Sequence, residues 1–134
     1  IDGVAFYLEG HPVVALTLRH NRIDSFWFTL MHELAHIVLG HEGLYLEGEE
    51  IADITSQKEQ QANQQAIEWL LPSRAFAAFV EANRAHFTRR RIESFAEPIK
   101  RHPGIVVGRL KQEKRLNKTQ HRVLQVKVAH LLDL

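Results

Sequence analysis

A chain of 134 residues, 45% apolar and 25% charged, has material for one compact core, and dividing it further would leave two unstable halves. No run approaches the ~20 apolar residues of a membrane span, which excludes a spanning helix, and the lack of any cysteine excludes disulfides and thiolate metal sites. The net charge of +1 conceals an uneven distribution: residues 1–83 hold 4 Lys and Arg against 12 Asp and Glu, whereas residues 84–134 hold 13 against 4.

No basic-then-apolar leader opens the chain, so a cytoplasmic protein is expected. Because the first residue is Ile1 and not methionine, the chain is also expected to be part of a longer protein. Its first segment, "VAFYLEGHPVVALTL", reads as a hairpin: a β-rich run at 4–8, a turn at Glu9-Gly10-His11-Pro12, then a second run at 13–18. Two strands alone are marginal and need a helix behind them. Asp24 or Ser25 can cap that helix, which carries Leu30, Met31, Leu34, Ile37 and Val38 and stops at Gly40. Residues 41–55 are acidic and punctuated by glycine, as in a loop, with room for a short strand at Leu44–Leu46.

Ser56 followed by Glu59 marks the start of a second helix, which Pro72 closes, and Trp69, Leu70 and Leu71 at its end are expected in the core. Ser73 is expected to cap "RAFAAFVEA", and Thr88 a helix that ends near Pro98. Pro103 suits a first helical position. The final segment is ambiguous: Leu124, Val126 and Val128 alternate as in a strand, ahead of a helix-like "AHLLDL".

Chemistry concentrates in "FTLMHELAHIVLGHE". Residues four apart on a helix lie about 40° from one another around the axis, so His32 and His36 project from one face and can grip one ion. Glu33, on the same turn, can reach a water held at the ion's open position. This is an HExxH arrangement, and neutral imidazoles favour Zn²⁺ as the cofactor. A third ligand is needed. The metzincin pattern would place a histidine ten residues after the first, but Glu42 stands there. His41, five after His36, would project about 140° away on a continued helix and reads as a surface residue or one that supports a ligand from behind. The better candidate is Glu59, 23 residues after His36 on the second helix, where Ala62 and Ala66 would let the two helices approach closely. Ser56-Gln57-Lys58-Glu59 reads equally well as a capping box, in which Glu59 only satisfies backbone.

The stretches "FTLMHELAHIVLGH" and "EQQANQQAIEWLLP" together resemble the ImmA/IrrE family of zinc metallopeptidases, and with their flanks they cover about half the chain. The upstream "HPVVALTLRHNRIDSFWFTL" and downstream "HPGIVVGRL" are similar to the subgroup attached to helix-turn-helix regulators, including HigA-like antitoxins. Leu71 stands where that family has methionine before the proline, a volume-conserving change. The resemblance implies an α+β, zincin-like fold of gluzincin type: a small antiparallel hairpin packed on a helical core that carries the HExxH. It implies His32, His36 and Glu59 as zinc ligands, Glu33 as general base, and Asn63 in a supporting or structural role. It also implies cleavage of a partner protein, often a DNA-binding repressor, with DNA bound only through an N-terminal domain that this chain lacks.

In such folds the strand before the motif helix, here Val13, Val14, Ala15, Leu16, Thr17 and Leu18, aligns an extended substrate by strand addition. Tyr45, His86 and His102 are conceivable oxyanion donors among which nothing in the sequence selects. A competing expectation, from a different class, is a non-catalytic zinc module that senses or binds partners within a transcription factor. The basic run of Arg89, Arg90, Arg91, Lys100, Arg101, Arg109, Lys111, Lys114 and Arg115 lacks the aromatic interleaving of a nucleic-acid surface and is expected to be solvated helix face.

Overall fold

The computed structural model describes residues 2–41 and 49–134, the side chains of residues 49–54 excepted. The fold is α+β. Strands β1 (Gly3–Leu8) and β2 (His11–Leu16) form an antiparallel hairpin in which Gly3 faces Leu16 and Leu8 faces His11. Glu9 and Gly10 both have positive φ, 51° and 79°, the two-residue turn whose twist matches the strands. The turn is thus tighter than the four residues expected, and His11 and Pro12 belong to β2. With Leu8 and His11 closing the ladder as a hydrogen-bonded pair, Pro12 opposite Tyr7 falls where its missing N–H is not needed.

Helix α1 spans Ile23–Val38 and begins without a side-chain cap, so neither Asp24 nor Ser25 starts it. It ends as expected at Gly40, whose φ of 68° turns the chain back. Gly40 N–H donates to the Ile37 carbonyl and His41 N–H to the His36 carbonyl, satisfying the last carbonyls of the helix. Helix α2, Glu49–Leu70, starts earlier than the expected Ser56, which therefore lies inside the helix and caps nothing. The expected strand at Leu44–Leu46 lies outside the described residues. α1 and α2 pack closely because Ala35, Ala62 and Ala66, all fully buried, face the seam.

Helices α3 (Ser73–Asn83), α4 (Arg89–Ala96) and α5 (Pro103–Gln112) complete the helical layer. Ser73 does not cap α3; its hydroxyl and backbone N–H both bind the Glu68 carboxylate. Thr88 and His102 cap α4 and α5, accepting from Arg91 N–H and Gly104 N–H. The main core forms where α2, α3, α4 and α5 meet, around Leu71, Phe79, Ile92, Val106 and Leu110, with Phe79 stacked on Phe95 at 4.4 Å. Leu70 and Leu71 are buried there as expected, while Trp69 is half-buried. α5 also packs on α1, close enough that a Cβ on Gly108 would sit 2.5 Å from an Asp24 carboxylate oxygen.

After α5 the chain makes two 3₁₀ turns, Arg122–Leu124 and Ala129–Leu132, and no strand. Leu124 and Val128 are buried, so their spacing reflects one side of an irregular segment lying against the helices. Val126 gives a single backbone bond, accepting from Ile23 N–H.

Arg101 does not belong to a solvated basic face. Its guanidinium donates to the Leu70 and Trp69 carbonyls, both at 2.8 Å, and to that of Ile99 at 3.1 Å. It thereby satisfies the orphan carbonyls at the end of α2. Arg101→Ala should lower unfolding stability in urea by about 1.5–3 kcal/mol, the range for hydrogen bonds to a charged group. Lysine there should recover only part of the loss, since it lacks the planar fork.

Candidate metal centre

His32, Glu33 and His36 are set by the helical period of α1, and Glu59 by that of α2 across the alanine seam. The structure brings His32, His36 and Glu59 to one point. His32 Nε2 lies 2.9 Å from Glu59 Oε2, His36 Nε2 lies 2.9 Å from Glu59 Oε1, and the two Nε2 atoms are 3.1 Å apart. Because Ser56 sits within α2, the capping-box role of Glu59 falls away.

Behind His36 runs a chain that the sequence showed only in part. Its Nδ1 is 3.0 Å from His41 Nδ1, and His41 Nε2 is 2.9 Å from Gln61 Oε1. The amide oxygen of Gln61 accepts, so His41 carries its proton on Nε2 and accepts at Nδ1 from His36 Nδ1–H. That tautomer leaves the lone pair of His36 Nε2 directed at Glu59. His41 therefore supports His36 from behind, brought there by the reversal at Gly40 and not by continuation of the helix. Burial pushes the His36 imidazole below its ordinary pKa, and the neighbouring histidines add to this against the opposing pull of Glu59 and Glu33. The neutral ring is the form that binds a metal.

With its proton held on Nδ1, His36 Nε2 turns a lone pair toward the Glu59 carboxylate, an arrangement that a cation between them would stabilise. Tetrahedral zinc with bonds of about 2.0–2.1 Å holds its ligand atoms roughly 3.3 Å apart. Opening the group by a few tenths of an ångström would admit the ion, so the donor set fits. His32 Nδ1 is buried and has no hydrogen-bond partner among the described residues.

Glu33 is 9% exposed, and its charge is one of the influences that raise the His36 pKa against the effect of burial. β1 lies directly over Glu33. A Cβ on Gly3 would meet Thr29 Cγ2 at 2.8 Å and Glu33 Cγ at 3.2 Å, so glycine lets the strand come this near. Asn63, one turn beyond Glu59, is half-buried, and its side chain makes no hydrogen bond among the described residues. Of the conceivable oxyanion donors, His102 is engaged as the cap of α5 and His86 is exposed between α3 and α4. Tyr45 lies outside the described residues.

Comparison with known families agrees with this geometry. The family model Peptidase_M78, described as an IrrE N-terminal-like domain, matches residues 2–97, well over half the chain. The chain belongs to that family, and its His-His-Glu group is a candidate metal site of a metallopeptidase-like domain. No curated protein and no solved structure matches. Among the described residues, no helix is long and apolar enough to cross a membrane.

Proposed function

We propose that this member of the Peptidase_M78 family is a zinc-dependent endopeptidase domain of gluzincin type, cleaving a partner protein such as a DNA-binding repressor within a stress or toxin-antitoxin regulator. The observation that carries the reading is the convergence of His32, His36 and Glu59 on one point, with Glu33 buried next to His32 on the same helix. His32 and His36 offer Nε2 lone pairs and Glu59 its carboxylate to the ion. Bound Zn²⁺ supplies Lewis acidity toward water and the scissile carbonyl. Glu33 takes the proton from the attacking water and returns it to the leaving amine. Its burial between α1 and β1 limits its motion and keeps bulk water from competing for that proton.

An extended substrate pairs with a free edge of the hairpin. The approach of Gly3 to Glu33 leads us to assign that edge to β1 and not to Val13–Leu18, whose strand portion ends at Leu16.

Metal removal tests the proposal. Dialysis against a chelator should remove zinc and cleavage of the co-encoded repressor together, and one equivalent of Zn²⁺ should restore both. Undiminished cleavage by metal-free protein would overturn it.

A further inference from the structure

A cavity of about 610 Å³ opens beside the metal centre, between the start of α1, the end of α2, α5 and the Arg122–Leu124 turn. Residues of both ligand-bearing helices line it. On α1, Phe28 stands one turn before His32 and Asp24 one turn before Phe28, each step rotating about 40° around the axis, and Asp24 and Phe28 line the cavity. On α2, Ile67 lies eight residues beyond Glu59, about 80° around the axis from it, and lines the cavity too. The Phe28 ring stands 6.1 Å from the His32 ring and forms the wall between cavity and centre. Two helical turns span roughly 11 Å, a distance that an extended peptide at ~3.3 Å per residue covers in three or four residues.

The chemistry of the walls is lopsided. Phe28, Ile67, Leu70 and Ile105 make an apolar floor, and the rim carries Arg22, Arg109, Lys111, Lys118 and Arg122 against the single carboxylate of Asp24. Arg22 is 3.3 Å from Asp24, and Arg109 pairs with Glu113 at 2.8 Å. Lys111 is held by neutral acceptors, Gln125 Oε1 and the Lys118 carbonyl. Lys118 and Arg122 have no ion pair among the described residues. Burial lowers the Lys111 pKa against the pull of Asp24, and Arg122 and Arg22 nearby add to the lowering.

We propose that this cavity is a specificity subsite that accepts an acidic side chain of the substrate within about four residues of the scissile bond, its carboxylate meeting Lys118 and Arg122 and its methylenes the apolar floor. The inference rests on the peptidase reading and adds the substrate class to it: a segment in which Asp or Glu flanks the cleaved bond. It gives the basic C-terminal half of the chain a role at the same centre as the acidic N-terminal half.

The test uses fluorescent dodecapeptides that differ only by Glu or Gln at each position in turn. Binding is read by anisotropy on zinc-loaded Glu33→Gln protein, and cleavage on wild type. One register should favour Glu by roughly 10-fold. Lys118→Glu combined with Arg122→Glu, both at exposed positions, should erase that preference, with unchanged zinc content and circular dichroism. Equal binding of the Glu and Gln peptides, or a preference that survives the double reversal, overturns the subsite. So does a preferred register more than four residues from the observed cut. Should wild type cut none of the peptides, the peptidase reading fails, and the Glu-against-Gln comparison in the two proteins still decides whether the cavity selects acidic peptides.

Discussion

Replacing Glu33 by glutamine should abolish peptide hydrolysis while leaving the protein folded and zinc-loaded. The side chain keeps its size and a hydrogen-bonding end, so its place between α1 and β1 is preserved; what disappears is the proton acceptor. General-base contributions are typically ~10² to 10⁴-fold, and Glu33 also returns the proton to the leaving amine, which puts its loss at the upper end or beyond. Glu33 is not among the three groups that converge as ligands, so metal content should stay near one equivalent. The measurement is cleavage of the cognate repressor by wild type and Glu33→Gln at matched zinc occupancy. A wild type that cuts nothing under inducing conditions, beside a Glu33→Gln protein that regulates normally, would replace the peptidase with a zinc-bearing sensor, because regulation by binding transfers no proton.

Glu59→Gln should act on the metal itself. Its two oxygens touch both histidines, so exchanging one for an amide removes the only negative charge among the three ligands. Zinc affinity, measured by competition with a chelating dye, should fall by more than the ~10- to 100-fold that loss of a partner behind a ligand costs. His41→Ala supplies that comparison within the same site, since it leaves all three ligands and removes only the acceptor behind His36. Ser56→Ala, deep inside α2, should leave zinc affinity unchanged. If His41→Ala weakens zinc as much as Glu59→Gln does, Glu59 is not a ligand.

Much of this centre was legible because its logic is local to two helices. A four-residue spacing places His32 and His36 without reference to the rest of the chain, and Ala62 and Ala66 announce a close helix contact before the partner is known. Caps formed within a few residues, Thr88 and His102 among them, follow from the same local rules, although only the first was named in advance. Features made by tertiary contact were not legible. Gln61 reaches His41 only because Gly40 reverses the chain. Arg101 looked like one more exposed cation until the end of α2 arrived to receive it. α2 runs through Ser56, so a local start signal there lies inside a longer helix, and Leu124 and Val128, buried four residues apart, belong to an irregular segment lying on the helices and not to a strand.

The family match ends at residue 97, yet Val106, Val107 and Leu110 beyond it are fully buried, and Gly108 seats α5 against α1. The smallest unit that can fold alone is therefore larger than the stretch by which the family is known. Kinship and autonomy have different borders in this molecule: a chain cut at the first would keep every proposed ligand and lose a wall of the core on which α1 and α2 rest. A relative divided at that border would have to borrow the missing wall from a neighbouring segment or from another protein, and its catalytic centre would then exist only in company.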